Sequence, residues 1–230
     1  MALETSRRTA SLALGSGAVV LEDELGAEAH ARDLVPRLAH LLERAGVERR
    51  AGRLRLGAVF VGLGPGSYTG LRVGIATALA LARATGAALY GLSSFEALAF
   101  AQLEVGTEGT VALDARAGRF YHARYRRVAG GLLELDPPST CTTEELAERC
   151  ARAHVLLGNP ELVPSAGLAL APSTVLRTDA RPRARALLEL GRARRASGAL
   201  APQSSLEPLY LAGFGQRTLR CEPGPRSAGR

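Results

Sequence analysis

The amino-acid sequence predicts an α/β protein built on a mixed β-sheet with helices on both faces, and three observations predict it. The chain has 230 residues, 47% of them hydrophobic, which is enough for a sizeable buried core. Its first 21 residues hold three short apolar segments separated by turn residues, a pattern typical of an antiparallel meander. After them, segments with helical periodicity alternate with short apolar segments, as in sheets whose parallel strands are joined through helices.

The first half of the chain contains eight of the predicted elements. Gly15-Ser16-Gly17 marks the hairpin turn of the meander, and Gly46 ends a helix whose leucines recur on one face. Ser94 is a candidate N-cap of the third helix, with Glu96 in its first turn. In chain order we predict strands 1–5, 9–14 and 18–21, helix 33–45, strand 56–61, helix 69–84, strand 87–92 and a helix beginning near 93–94.

The second half repeats the plan of a β-meander followed by helices. Pro137-Pro138 is expected to break the chain after a short strand, and Thr142 or Thr143 with Glu145 is expected to open a helix. The predicted elements are strands 111–114, 119–128 and 132–135, helix 142–151, strand 154–157 and helix 184–196. We therefore predict an N-terminal lobe over 1–105, a smaller C-terminal lobe over 106–221 and a flexible tail over 222–230.

The charge is strongly positive and is carried by one residue type. All 29 basic residues are arginine, against 22 acidic residues, which leaves a net charge of +7. The absence of lysine excludes Schiff-base chemistry and a Walker-type phosphate lysine. Codon usage in a GC-rich genome and a polyanionic partner such as RNA are both compatible with the bias. Aromatic residues make up only 4%, which argues against stacking platforms for single-stranded nucleic acid.

Cysteine and histidine spacing argues against disulfide and metal frameworks. The cysteines are Cys141, Cys150 and Cys221, an odd number without C-x-x-C spacing, and the four histidines lack H-x-x-x-H or H-E-x-x-H spacing. Arg7-Arg8 before an apolar segment superficially resembles an export signal, but a hairpin explains that segment better. We expect a cytoplasmic protein with no membrane association.

Residues 62–74, GLGPGSYTGLRVG, form the most distinctive segment. A strand, a glycine-rich turn and a helix start can bind an anion, or the glycines can simply allow a tight turn. Glu4 and Asp114 each lie at the end of a predicted strand. Two carboxylates that face the same cleft could hold a metal–nucleotide, or each could merely cap a turn. The candidates for a vestigial nucleotide or phosphate contact are Glu4, Thr5, Gly64, Gly66, Ser67 and Asp114.

The helix that follows carries a row of small residues spaced four apart. The row consists of Gly70, Gly74, Ala78 and Ala82. Minimal side chains along an i, i+4 ridge allow another element to approach closely. That element is either the chain's own sheet or a helix of a partner, and the spacing alone does not choose between them.

Several segments together resemble the bacterial TsaB (YeaZ) family. They are residues 61–74, residues 91–98 (GLSSFEAL), residues 112–116 (ALDAR) and residues 207–211 (EPLYL). The resemblance implies an actin/Hsp70/sugar-kinase-like architecture of two RNase-H-like lobes, each with a mixed sheet. It also implies a non-catalytic subunit that activates TsaD, which transfers a threonylcarbamoyl group to a tRNA adenosine. The implied partners are the TsaD-type catalytic subunit, the TsaE-type ATPase and tRNA through the complex, and whether the isolated chain forms a homodimer is left open.

The same resemblance implies that catalysis and metal binding are absent. TsaD-like paralogues carry an H-x-x-x-H metal pair, and Ser94 and Leu98 occupy those positions here. We therefore expect no catalytic residue, no metal and no resident cofactor, with weak nucleotide binding left open. In the family the first and second helices form the heterodimer. That places Leu34, Leu38 and Leu41 in the interface with the Gly70, Gly74, Ala78 and Ala82 row, and predicts that Ala78→Arg abolishes TsaD binding in a folded monomer.

Three other functions fit the fold less well. An ATP-dependent phosphotransferase, the main alternative, needs a phosphate loop in each half, and the second half has no matching glycine-rich hairpin. A metallopeptidase needs metal-ligand spacing that the sequence lacks. A self-associating scaffold without a role in tRNA modification is the third.

Overall fold

The computed structural model describes residues 1–26, 30–47, 49–50, 53–150, 155–158, 175–177 and 182–211. Its first sheet has the strand order β3-β2-β1-β6-β7. Strands β1, β2 and β3 pair antiparallel, whereas β6 and β7 continue the sheet parallel to β1. The strands are β1 (Ala2–Glu4), β2 (Ala10–Ser16), β3 (Val19–Leu25), β6 (Ala58–Gly62) and β7 (Ala88–Leu92), with β4 (Arg49–Arg50) and β5 (Arg53–Leu54) forming a separate two-stranded ribbon.

The second sheet repeats this topology with the order β10-β9-β8-β11-β12. Its first three strands form an antiparallel meander and its last two are parallel to β8. The strands are β8 (Glu108–Arg116), β9 (Arg119–Val128), β10 (Gly131–Thr142), β11 (Val155–Gly158) and β12 (Val175–Arg177). The helices within the described residues are α1 (His30–Arg44), α2 (Tyr68–Thr85), α3 (Ser94–Gln102), α4 (Thr143–Cys150) and α5 (Ala184–Ala196).

Alternation along the strands of the first sheet divides its side chains between two cores. Leu3, Val59 and Val61 pack with Leu34 and Leu41 of α1 on one face. Ala2, Ala58 and Phe60 pack on the other face with leucines of α5 such as Leu187. Because strand residues alternate between faces, both faces of this sheet need a helical cover. The predicted mixed sheets with helices on both faces, and the predicted fold class, are confirmed.

Helix ends explain two of the observed boundaries. Ser93, not Ser94 as predicted, is the N-cap of α3, and its Oγ accepts hydrogen bonds from the backbone N–H groups of Phe95 and Glu96. At α4 the predicted capping box forms: Thr142 Oγ1 accepts from Glu145 N at 3.3 Å and Glu145 Oε2 accepts from Thr142 N at 2.9 Å.

The structure departs from the prediction at Pro137-Pro138. β10 continues through both prolines and its register to β9 shifts there, between Asp136 and Ser139. The prediction of a break was wrong because β10 is an edge strand, where a missing N–H and a bulge are tolerated.

Helix α5 joins the two halves of the chain. It lies within the predicted second lobe, 106–221, yet it packs on β1, β2 and β6 of the first sheet and against α3. The predicted tail over 222–230 lies outside the described residues, as do His154 and Cys221. Among the described residues, no helix combines the length and the apolar character that a membrane span requires.

Candidate functional site

The glycine-rich segment forms a closed junction between β6 and α2. Ser67 is the N-cap of α2, and its Oγ accepts from Gly70 N at 3.3 Å. Ser94 holds the loop from the other side, since its N–H donates to Gly64 O at 2.9 Å and its Oγ accepts from Gly64 N at 3.2 Å. The first strand closes the junction, because Ser67 N donates to Ser6 O at 2.7 Å. The segment is therefore fixed by the chain's own hydrogen bonds.

The glycines of this junction allow the end of β1 to lie directly against α2. A Cβ at Gly66 would collide with the Ser6 carbonyl, and one at Gly70 would collide with Thr5 O. A Cβ at Gly74 would collide with the Thr5 hydroxyl. None of these three glycines has a positive φ, so close approach of backbone, not turn conformation, explains their presence.

Glu4 ends β1 at the centre of this junction and is completely buried. Its Oε1 accepts from Ser6 N at 2.7 Å, while Oε2 lies against Gly62 beside Ser94 Oγ. Among the described residues, Glu4 Oε2, Thr5 Oγ1 and Ser6 Oγ are buried without a hydrogen bond of good geometry. Burial raises the pKa of the Glu4 carboxyl, and hydrogen bonding from Ser6 and the nearby Ser94 hydroxyl opposes only part of that shift.

The predicted nucleotide-contact residues are divided between this junction and the second sheet. Glu4, Thr5, Gly64, Gly66 and Ser67 lie together, but Glu4 faces the interior and not a cleft. Asp114 lies near the end of β8 with an exposed side chain. Arg7 links the two sheets, since its NH1 donates to Asp114 O at 3.2 Å. The arrangement does not bring the two carboxylates together as a metal–nucleotide site would require.

The predicted interface row on α2 faces inward. Gly70 and Gly74 contact Thr5, Ala78 is fully buried and Ala82 is 5% exposed. Leu34, Leu38 and Leu41 of α1 belong to the same core. The structure therefore does not place these seven residues on a docking surface, and because Ala78 is fully buried we now expect Ala78→Arg to prevent folding instead of leaving a folded monomer. The small residues do allow close packing, but against the chain's own first sheet.

A second row of small residues faces outward on the same helix. Ala76, Ala80 and Ala84 are exposed, two positions away from the buried row. On the neighbouring helix α1, Val35 is 58% exposed and Ala39 is also exposed. Helices α1 and α2 contact each other, so these exposed residues lie on two neighbouring helices. We call the five residues the α1–α2 outer face.

The two positions that correspond to a metal pair are both in the interior. Ser94 binds the glycine loop, and Leu98 lies in the core between α3 and the second sheet. Among the described residues, no three His, Cys, Asp or Glu side chains lie close enough together to hold a metal ion.

Sequence reasoning missed an aromatic contact at the start of α2. Tyr210 stacks on Tyr68 with ring centroids 5.2 Å apart, and the Arg72 guanidinium lies 4.4 Å from the centre of the Tyr68 ring. Leu209 N donates to Leu63 O at 2.7 Å, which ties the segment after α5 to the glycine junction. The segments 62–74 and 207–211 can both be recognised in the sequence, but only the tertiary structure brings them together.

Comparison with known proteins finds similarity to proteins of tRNA modification. The family model for TsaD, tRNA N6-adenosine threonylcarbamoyltransferase, matches residues 22–168. The tRNA threonylcarbamoyladenosine biosynthesis protein TsaB of Escherichia coli is 27% identical over 92% of this chain and 93% of its own length. TsaB of Haemophilus influenzae is 32% identical over 55% of this chain and 53% of its own. An uncharacterized protein of Mycobacterium leprae, ML0378, is 36% identical over 63% of this chain, which spans only 40% of that protein.

Solved structures agree with the sequence comparison. A crystal structure of an uncharacterized Pseudomonas aeruginosa protein with similarity to peptidase YEAZ has a TM-score of 0.76 and 26% identity, over 92% of this chain and 98% of its own. YeaZ from Pseudomonas aeruginosa has a TM-score of 0.72 and 24% identity, over 91% and 98%. Sequence segments, sheet order and both comparisons agree, and the chain belongs to the TsaB (YeaZ) family.

Proposed function

We propose that this protein is the non-catalytic TsaB-type subunit of the complex that makes threonylcarbamoyladenosine in tRNA. The observation that carries the proposal is its agreement with E. coli TsaB over nearly the whole of both chains. In this role it binds the TsaD-type subunit and activates it in the cytoplasm, and it works beside a TsaE-type ATPase. It meets tRNA through the complex and has no resident cofactor.

We infer that the α1–α2 outer face is the surface that binds the TsaD-type subunit. Family resemblance implies an interface made by the first two helices, and the buried residues of those helices are not available for it. Both helices expose small or apolar residues, Ala76, Ala80 and Ala84 on α2 and Val35 and Ala39 on α1, and charged residues such as Arg37 and Arg72 are exposed there too. Small residues at i, i+4 spacing let a partner helix approach closely. An isolated chain that forms a homodimer would use the same face.

The surroundings of three side chains, Glu4, Ser94 and Leu98, are compatible with the activator role. Leu98 supplies no ligand to a metal, and Ser94 is engaged by the glycine loop. The buried carboxyl of Glu4 lies away from solvent, where it cannot contact a substrate. The Glu4 carboxyl and the Ser94 hydroxyl are therefore not available as the acid, base or nucleophile of a phosphotransferase or peptidase reaction.

Reconstitution tests the proposed role directly. Purified TsaD-type and TsaE-type subunits, threonylcarbamoyl-AMP and tRNA are combined with and without this chain, and modified adenosine is measured by mass spectrometry. We expect modification only when this chain is present, and none with this chain alone. Modification by the isolated chain, or full activity in its absence, would contradict the proposal.

A matched pair of variants tests the interface. Val35→Asp adds a charge to the α1–α2 outer face, and Leu133→Asp adds one to β10, where the side chain is 49% exposed. Both proteins should fold, because neither position is in a core. We expect Val35→Asp to weaken binding to the TsaD-type subunit by about 100-fold in calorimetry, roughly 2.7 kcal/mol, and Leu133→Asp to leave binding unchanged. Equal affinities of the two variants would place the interface elsewhere.

A further inference from the structure

A cavity of about 560 Å³ opens at the amino-terminal end of the first sheet, at the opposite end of β6 from the glycine junction. Its apolar wall includes Leu14, Phe60 and Leu188. Arg55, Arg192 and Arg195 also line it, and none of the described residues that line it is acidic. Small-molecule sites have volumes of roughly 300–1,000 Å³ and combine apolar walls with a few polar groups, which this cavity matches in size and composition.

Arginines on and beside α5 differ sharply in how their charge is compensated. Three of them form ion pairs away from the cavity: Arg183 with Glu24, Arg185 with Glu22 and Glu189, and Arg194 with Glu96. The two that line the cavity have no carboxylate partner within the described part of the chain. Arg192 NH1 donates only to Gly17 O, at 3.1 Å. The uncompensated charge of this helix is therefore concentrated at the cavity.

Both of these guanidinium groups lie near a glycine, and the glycine at position 15 makes room for that of Arg192. A Cβ at Gly15 would lie 2.7 Å from Arg192 Cζ, so the Arg192 guanidinium occupies space that only glycine leaves open. At Gly57, Arg195 NH1 lies 3.9 Å from where a Cβ would be. The Arg192 side chain is half-buried and lies against the backbone of β2, so it loses less entropy on binding than a freely moving arginine would.

We propose that this cavity binds a small organic anion, a molecule with a phosphate or carboxylate group on an apolar body. Guanidinium groups donate several hydrogen bonds to the oxygens of either anion, and Arg192 has N–H donors that make no hydrogen bond to the described residues. The wall made by Leu14, Phe60 and Leu188 buries the apolar part. This site is separate from the α1–α2 outer face and does not depend on the proposed function.

Ligand titration followed by two-dimensional amide NMR on the full chain tests the site. The probes are hexyl phosphate, hexanoate and, as an uncharged control, hexanol. We expect at least one of the two anions to shift the amide signals of Gly15 and Gly57 in a saturable way, with a Kd at or below about 1 mM. The anion with the lower Kd shows whether the site prefers a phosphate or a carboxylate head group. Absence of saturable shifts with both anions, or equal binding of hexanol, overturns the proposal.

Three variants separate a built site from general attraction to a basic protein. Arg192→Gln should raise the Kd of the bound anion about tenfold, which corresponds to about 1.4 kcal/mol. Gly15→Ala keeps every charge but displaces the Arg192 guanidinium, and should weaken binding to a similar extent. Arg119→Gln removes one exposed charge in the second lobe and should change nothing. Equal effects of Arg119→Gln and Arg192→Gln would overturn the proposal, and thermal unfolding checks that each variant is folded.

Discussion

The two five-stranded sheets share one strand order but stabilise their central strands differently. In the first sheet, β1 ends at the buried carboxyl of Glu4, and α2 approaches it through glycines. In the second, the corresponding strand β8 ends near the exposed Asp114, and its β9 neighbour buries the ring of His122. The first lobe uses small residues for close helix approach, whereas the second uses polar partners between its strands and α4. A shared strand order therefore does not determine which polar groups each sheet buries.

His122 illustrates the second arrangement. Its Nε2 lies 2.9 Å from Arg149 NH1, and its Nδ1 lies 3.0 Å from Ser139 Oγ. Because arginine can only donate, Nε2 accepts and Nδ1 carries the proton toward Ser139, which makes the ring neutral. Burial lowers the pKa of His122, and the charge of Arg149 lowers it further.

Substitutions on the two faces of α2 give the largest expected contrast. Ala78→Arg forces a charge into the core of the first lobe, and we expect a loss of more than about 4 kcal/mol in the free energy of unfolding, enough to prevent folding. Ala76→Arg lies two positions earlier on the exposed face and should change stability by less than about 0.5 kcal/mol. Circular dichroism and chemical denaturation measure both. A folded Ala78→Arg protein would mean that α2 does not pack as described.

Gly66 and Gly131, one from each half of the chain, provide the next comparison. In Gly66→Ala the new methyl group meets the Ser6 carbonyl, so we expect a destabilisation of about 1–3 kcal/mol. Gly131→Ala adds a methyl group with nothing within 4 Å and without a positive φ, and should be neutral or slightly stabilising. Urea denaturation gives both values. If the two changes cost the same, close approach does not explain the glycine-rich junction.

The buried carboxyl of the first lobe should make stability fall as the pH rises. Glu4 holds its proton longer in the folded state, so the folded protein binds more protons than the unfolded chain above the ordinary Glu pKa of about 4.3. The free energy of unfolding should therefore decrease from that pH up to the raised pKa, by at most about 1.4 kcal/mol per pH unit. Glu4→Gln should remove this contribution. Near-ultraviolet circular dichroism controls for an unchanged fold, and an unchanged pH dependence in the variant would contradict the assignment.

The buried His122 imidazole should change stability with pH in the opposite direction. Below the ordinary His pKa of about 6.5, the unfolded chain binds a proton that folded His122 resists. Stability should thus decrease as the pH falls from about 6.5 toward the lowered folded pKa, again by at most about 1.4 kcal/mol per pH unit. His122→Gln should flatten that decrease in denaturation curves measured across the range. A decrease that persists unchanged in His122→Gln would show that another group titrates there.

Local signals predicted most helices and strands to within a few residues. Helix α5 matches its predicted bounds, and the capping box at Thr142 and Glu145 forms as the spacing requires. Two features were not predicted correctly, the N-cap of α3 for a local reason and the packing of α5 for a non-local one. Ser93 and Ser94 are adjacent candidates for one cap, and only the loop contact of Ser94 separates their roles. Packing of α5 on the first sheet joins residues more than 170 positions apart, such as Ala184 and Ser11, and no pattern in the sequence indicates it.

The sequence by itself determined the family and the order of elements, because hydrophobic periodicity, turn residues and a long glycine-rich signature are local properties of the chain. Tertiary structure alone decided which small residues of α2 face the core. Alanine or glycine occupies every second position from Gly74 to Ala84, so two rows with i, i+4 spacing exist and either can support close packing. The approach of β1 to Gly66, Gly70 and Gly74 turns one row inward, and Ala76, Ala80 and Ala84 are left exposed.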